Sequence, residues 1–486
     1  MCLRCLRRAV RAIDETNGSS QLRRAAFSTT APQAAAKAAP PKKSSIAKPG
    51  TRQTKTLQLK KKSPRTPSAR PPAPGERKAV RKRIVLSNTN ALEVKGLEDL
   101  TGDKLLRHAA GSVTLDSFRG RVLGFNNETV DALRALEAFK PRQGWSLFRR
   151  PATLMRKETA QLANALADVE SEKSVAKRLV FGNKGSGKSA LLLQTQAMAY
   201  LRDWVVVHFP DGLELINAQT AYEPSKTANG TIYVQPEYTA KLLSSVANAN
   251  QKLLSTMSLS RQHSLPIPVQ SNMSLARFAE LGARDPTIAW PIWQALWTEL
   301  TTASSQQNRR PILISMDGVD QVMRASAYLD EEARPIHAHD LALVKHFVDF
   351  MSGHTLMPNG GMVMAATCAS NRAASPTLDH CIELAHTQQH NAQLESDSQS
   401  TSKTLQLPKW DPFMVKDARV EAAMNGVQAV KLEGLSKAEA RGMMEYYAQS
   451  GMLRGTVTDS TVSERWTMAG SGIIGELEKS TVRARF

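Results

Sequence analysis

The sequence predicts an α/β protein with a parallel sheet and helices on both faces, and three observations predict it. Gly182-Asn183-Lys184-Gly185-Ser186-Gly187-Lys188-Ser189 matches G-x-x-x-x-G-K-[ST] between an apolar run, Arg178-Leu179-Val180-Phe181, and an apolar helical stretch, Ala190 to Leu201. A second apolar run, Pro311-Ile312-Leu313-Ile314-Ser315-Met316, ends in Asp317. Trp204 to Phe209, Met362 to Thr367 and Val427 to Leu432 add three more buried-strand runs, as a sheet covered on both sides requires. Loop, acid-ended strand and intervening strands together specify a P-loop NTPase core of the AAA-like, additional-strand division. To it the sequence adds a small C-terminal helical or winged-helix subdomain and a disordered basic N-terminal arm.

The chain opens with Arg4, Arg7, Arg8 and Arg11 on a short amphipathic pattern, followed by Arg23-Arg24-Ala25-Ala26-Phe27-Ser28. Arg-rich, Ser-rich and acid-poor composition over residues 1–30 predicts a mitochondrial transit peptide and a matrix address. Residues 31–83 carry nine prolines and runs such as Lys60-Lys61-Lys62 with few large apolar side chains. That stretch cannot bury enough surface to offset its ordering entropy, so disorder is expected. Its 16 basic residues suit sequence-independent contact with RNA phosphates; the alternative is a solvated linker.

Charge separates arm from body. Of 64 Lys and Arg, 22 fall in residues 1–83 against three acids, whereas the remaining 403 residues carry 42 basic and 41 acidic side chains. A near-neutral body excludes a generally basic nucleic-acid-coating domain. Four cysteines, two of them Cys2 and Cys5, exclude a disulfide-framed secreted protein. No apolar run approaches the roughly 18 residues of a membrane-spanning helix, so no span is expected.

Residues 84–170 read as an extension packing on the core, 171–433 as the nucleotide-binding domain with an insertion over 211–310, and 434–486 as the C-terminal subdomain. Within the core, glycines let backbone N–H groups turn toward phosphate oxygens, and the following helix points its positive end at them. Lys188 is expected to reach the β- and γ-phosphates, and Ser189 to ligate Mg²⁺, with Asp317 holding the metal through water. Asp317 is followed by Gly318, not by the acid that usually orients water in this division, which leaves Asp320 as the nearest substitute catalytic acid. Thr367, Ser370, Asn371 and Arg372 end a later strand and are candidates for sensing the γ-phosphate.

In the insertion, Trp290, Trp293, Trp297 and Leu300 recur at helical spacing, a core stripe or a docking face. Ser436-x-x-Glu439 is a capping box opening a helix that closes near Ser450-Gly451. Cys368, Cys381, His386 and His390 lack the paired Cys-x-x-Cys of common structural zinc sites, and buried or idle thiols explain the cysteines as well.

With these residues assembled, the chain over roughly 115–486 resembles the death-associated-protein-three family of mitochondrial small-subunit ribosomal proteins. The resemblance rests on the phosphate loop, on Asp203-Trp204-Val205-Val206-Val207-His208-Phe209-Pro210-Asp211, and on Met316-Asp317-Gly318-Val319-Asp320. Asp411-Pro412-Phe413, the stretch Leu432 to Glu439, and Tyr446-Tyr447 extend it. It implies a structural component of the mitochondrial ribosome that binds GTP or GDP, with ATP as the alternative, together with Mg²⁺. The partners it implies are small-subunit rRNA and neighbouring ribosomal proteins, with large-subunit bridge contacts as a further option, in a protein that is not a homo-oligomer.

Two departures bear on activity. No Asn-Lys-x-Asp guanine motif is present, so guanine preference comes from the resemblance alone, and Gly470 to Leu477 holds no Arg where related ATPases present a sensor. Slow or absent turnover is therefore expected, ahead of a matrix AAA-like ATPase acting on protein or nucleic acid. The family's name also suggests a signalling switch, for which no residue speaks.

Overall fold

Five apolar runs pair into one parallel sheet: β1 (Val175–Gly182), β2 (Val205–Phe209), β3 (Ile312–Asp317), β4 (Gly361–Ala366) and β5 (Gln428–Leu432), in the order β5-β1-β4-β3-β2. This is a computed structural model, and it describes residues 84–107, 113–227, 230–303, 309–396 and 405–483. The expected transit peptide and basic arm lie outside the described residues.

Strand side chains alternate between two separate cores, because a pleated strand points successive residues to opposite faces. Leu179, Val205, Val207, Phe209, Ile312, Ile314, Val363 and Ala365 face one core; Val180, Val206, Leu313, Met362, Met364 and Ala366 face the other. The second core is closed by α1 (Lys157–Glu172), α2 (Lys188–Leu201) and the helix Asn127–Ala135. The first is closed by α3 (Pro236–Ala249), α4 (Leu275–Arg284), α5 (Pro286–Leu300) and α6 (Ala342–Ser352). This two-sided cover is why β2, β3 and β4 are buried along their whole length and lack the polar alternation of a half-exposed sheet.

Strand β4 lies between the strand feeding the phosphate loop and the strand ending in Asp317, an order consistent with the expected P-loop core. In-register pairing sets Ala366 beside both Val180 and Asp317, so the C-terminal ends of β1, β4 and β3 finish together. A crevice at such ends is where open α/β sheets bind ligands.

The insertion folds mainly as α3, α4 and α5, with a hairpin of Glu223–Thr227 and Gly230–Val234. Trp293, Trp297 and Leu300 are buried in the first core and Trp290 packs partly against it, so the stripe is core rather than docking face. Beneath it Glu299 is wholly buried, accepting from Ser260 N (3.0 Å), Ser260 Oγ (2.6 Å) and His263 Nε2 (2.8 Å), and paired with Arg309.

After β5 the described residues form three helices, α7 (Lys437–Gln449), α8 (Asp459–Met468) and α9 (Ile474–Thr481), and no strand. Leu435, Ala440, Met444, Val462 and Leu477 share a small core with Leu154 of the preceding extension. The Ser436 capping box forms as expected, with Ser436 N donating to Glu439 Oε2 at 2.9 Å. The other carboxylate oxygen accepts from Lys157 N at 3.0 Å, so one glutamate caps both α7 and α1.

Candidate nucleotide site

The phosphate loop turns directly out of β1, and the turn needs glycine. A Cβ on Gly182, at φ +145°, would stand 2.5 Å from Leu432 O on β5. Gly187, at φ +101°, caps α2 in a left-handed conformation that side chains resist. Lys188 folds back over the loop, its Nζ donating to Gly182 O (2.8 Å) and Asn183 O (2.9 Å), and burial pulls its pKa down. The Ser186 hydroxyl is buried with no partner.

Ser189 and Asp317, 128 positions apart, meet through a 2.8 Å hydrogen bond from Oγ to Oδ2. Lys140 Nζ lies 3.3 Å from the same oxygen and also donates to Pro210 O. Behind them, Gln196 Nε2 donates to Ser315 Oγ (3.0 Å), which also meets His208 Nδ1 at 3.0 Å. Burial, reinforced by the Lys140 charge, lowers the His208 pKa to about 3, so this imidazole is neutral.

Lys140, Lys188, Ser189 and Asp317 line one end of a cavity of about 560 Å³, within the range of ligand sites. Lys184, Arg142 and Asp211 also line the cavity, and Thr367, Cys368 and Ser370 complete its wall. Arg142 and Lys184 are exposed and have no side-chain partner among the described residues. The other end lies between the extension (Trp145, Phe148, Ala152) and the C-terminal helices (Met443, Tyr446, Tyr447, Glu478). Two contacts hold those flanks on the loop. Arg156 donates to Ser186 O and to Glu433 O, each at 2.8 Å, and Gly475 N donates to Gly185 O at 2.9 Å.

A polyanion fits this arrangement. Glycine backbone turns at Gly185 and Gly187, the buried Lys188 ammonium, the Ser189 hydroxyl and the Lys140 cation line one end, and an apolar chamber adjoins it. Ser189 and Asp317 together supply the hydroxyl and carboxylate oxygens that Mg²⁺ prefers.

Asp320, the expected catalytic acid, is held by backbone donors. It is buried, outside the cavity lining, and its carboxylate accepts from Cys368 N (2.6 Å) and Ala373 N (3.2 Å), bracing the loop after β4. Asp320→Asn should therefore destabilise by about 1–3 kcal/mol, because the new amide turns a donor toward backbone donors. Denaturant melts check this, and an unchanged midpoint would return Asp320 to the pool of candidate bases. Among the other strand-end candidates, Thr367 and Ser370 reach the cavity, Asn371 O accepts from Gln321, and Arg372 pairs with Asp379.

Sequence reasoning did not single out Lys140, Arg156, Tyr447 or Glu478 as site residues. They come from segments flanking the loop by about 30 to 300 positions and carry no local motif. The four Cys and His residues weighed for zinc do not form a cluster. Cys368 lies at the cavity, Cys381 lies within the helix Pro376–Ser396, His386 meets Phe181 edge-on, and no group of three or more metal-ligating side chains is found among the described residues.

Comparison with known proteins converges on one family. The family model described as mitochondrial ribosomal death-associated protein 3 matches residues 153–480. The chain is 42% identical to small ribosomal subunit protein mS29 of Neurospora crassa over 85% of this chain and 84% of that protein. It is 21% identical to mS29 of Schizosaccharomyces pombe, over 73% and 70% of the two chains, and 24% identical to mS29 of Bos taurus, over 40% and 50%. The match begins at the rim of the cavity and ends within α9, and on this evidence the chain belongs to the mitochondrial ribosomal death-associated protein 3 family.

Proposed function

We propose that the chain is a structural component of the small subunit of the mitochondrial ribosome, in the matrix, and that it holds a guanine nucleotide with Mg²⁺ as part of its fold. Family membership supports the ribosomal part. The nucleotide part rests on one observation: the Ser189–Asp317 hydrogen bond closes a phosphate loop against an acid-ended strand at the mouth of a cavity large enough for a nucleotide.

The loop amides and Lys188 would hold the phosphates, Lys140 would add positive charge at that end, and Ser189 and Asp317 would hold Mg²⁺, Asp317 through water. The metal would neutralise phosphate charge. Turnover is expected to be slow or absent, because Asp320 is committed to a loop and the first turn of α9 offers a backbone amide, Gly475 N, where a sensor Arg would stand. Small-subunit rRNA and neighbouring ribosomal proteins are the proposed partners, with residues 31–83 contacting RNA through their basic side chains.

Sedimentation of mitochondrial lysate at high magnesium tests this, with mass spectrometry of nucleotide extracted from the small-subunit fraction. Co-migration with the subunit and recovery of GTP or GDP in the purified protein are expected. A homo-oligomeric pool that turns over ATP would sink the reading in favour of an ATPase.

A further inference from the structure

The cavity end away from the phosphate loop has a polar floor that the structural role does not require. Helix α9 begins at the loop, where Gly475 N donates to Gly185 O, and Glu478 lies about one turn farther along, carried away from the phosphates. Its carboxylate rests against Gly144, so closely that a Cβ there would stand 2.5 Å from Oε1. Arg483 Nε stands 2.7 Å from Oε1 as an ion pair, yet Oε1 is buried with no hydrogen-bond partner. Burial pushes the Glu478 pKa up and Arg483 pulls it back, the balance of a carboxylate short of donors. Beside it, Tyr447 is fully buried, stacked on Phe148 at 5.6 Å, and its hydroxyl has no partner. Both side chains line the same cavity as Lys188 and Ser189. Buried polar groups are normally satisfied, so two under-satisfied ones in one chamber point to a ligand edge that satisfies them.

We propose that Glu478, assisted by Tyr447, reads the base of the bound nucleotide and selects guanine. Guanine presents two donors on one edge, N1–H and the 2-amino group, to which a carboxylate can bond as a pair of acceptors. Adenine presents an acceptor at N1 and only C–H at C2, so the same carboxylate would face a lone pair and remain unsatisfied. Apolar neighbours, Phe148, Met443 and Tyr446, supply the flat walls a purine needs. This guanine selector would come from the C-terminal helix, which explains how guanine can be read without an Asn-Lys-x-Asp motif.

The inference rests on the nucleotide reading above, and the test separates the two. Equilibrium binding of fluorescent GDP, ADP, inosine diphosphate and xanthosine diphosphate is measured on the purified full chain, its Glu478→Gln and Tyr447→Phe variants, and Lys188→Ala. Wild type should prefer GDP over ADP by roughly 10- to 100-fold, with inosine diphosphate, which lacks the 2-amino group, between them. Glu478→Gln should lose roughly tenfold or more for GDP and gain for xanthosine diphosphate, whose 2-oxo group accepts from the new amide. That gain is a result misfolding cannot produce. Tyr447→Phe should weaken GDP by about fivefold, the loss of one neutral hydrogen bond. Wild-type binding that Lys188→Ala abolishes but that treats GDP and ADP alike, or an unchanged GDP to xanthosine diphosphate ratio in Glu478→Gln, would overturn the base assignment and leave the nucleotide site standing. No binding of any nucleotide by wild type would overturn both.

Discussion

Lys188→Ala is expected to yield a chain without bound nucleotide that melts roughly 5 °C or more below wild type. The reason is linkage. A ligand held only by the native state stabilises it by RT ln(1 + [L]/Kd), about 4 kcal/mol when its concentration is roughly a thousand times Kd. That is a large share of the ~5–15 kcal/mol holding a typical domain together. Lys188 also closes the loop on itself through Gly182 O and Asn183 O, so part of any loss could come from the apo fold. Stripping nucleotide from wild type separates the contributions: the melting gap between the two proteins should then largely close. Asp317→Asn should weaken the metal and lower the melting temperature less, since it leaves Lys188 in place. Equal melting of Lys188→Ala and loaded wild type would show that the nucleotide contributes nothing to the fold.

That sensitivity follows from where the cavity lies. Its walls come from three parts of the chain: the extension, the sheet ends and the C-terminal helices, joined through Arg156 to Ser186 O and through Gly475 N to Gly185 O. A ligand between them adds contacts to all three at once, so losing it would loosen the attachment of α7 and α9 as well as the loop. On a ribosome, that attachment would shape the surface offered to neighbours. A nucleotide can therefore matter to assembly without being consumed.

The sheet was legible in the sequence, because β2, β3 and β4 are buried along their whole length and read as continuous apolar runs, and the edge strand β5 and the first half of β1 still carry enough apolar residues to be found. The phosphate end of the site was equally legible, since Gly182 to Ser189 is a single contiguous segment whose spacing is fixed by the turn it makes. The opposite end was not. Lys140, Tyr447 and Glu478 converge only because the extension and C-terminal helices fold over the loop, and no periodicity encodes that juxtaposition. The surroundings of Asp320 were not legible for a related reason. Spacing alone makes it the nearest acid after Asp317, whereas the short helix Val319–Val322 turns its carboxylate under the 367–373 loop, toward the amides of Cys368 and Ala373.

The insertion holds a buried ion pair away from the cavity lining, and Glu299→Gln should cost about 3–5 kcal/mol by breaking it. Glu299 and Arg309 are both buried, and the carboxylate also gathers Ser260 and His263 from the segment before α4. Burial alone would raise the Glu299 pKa, but the bonds from Ser260 and His263 and the Arg309 charge outweigh it and leave the pKa below the ordinary glutamate range. A carboxylate lowered in the folded state stabilises at pH above its unfolded pKa, and that contribution disappears as pH falls through the folded pKa. The melting gap between wild type and Glu299→Gln should thus be full at neutral pH and narrow on acidification below the ordinary glutamate range. Replacing Arg309 as well, in Glu299→Gln with Arg309→Met, should recover part of the loss, because most of it is the cost of an unpaired buried guanidinium. Neither variant touches the cavity lining, so both should carry nucleotide like wild type when folded. A melting loss below about 1 kcal/mol in Glu299→Gln, the scale of an exposed pair, would mean that water reaches this cluster in solution.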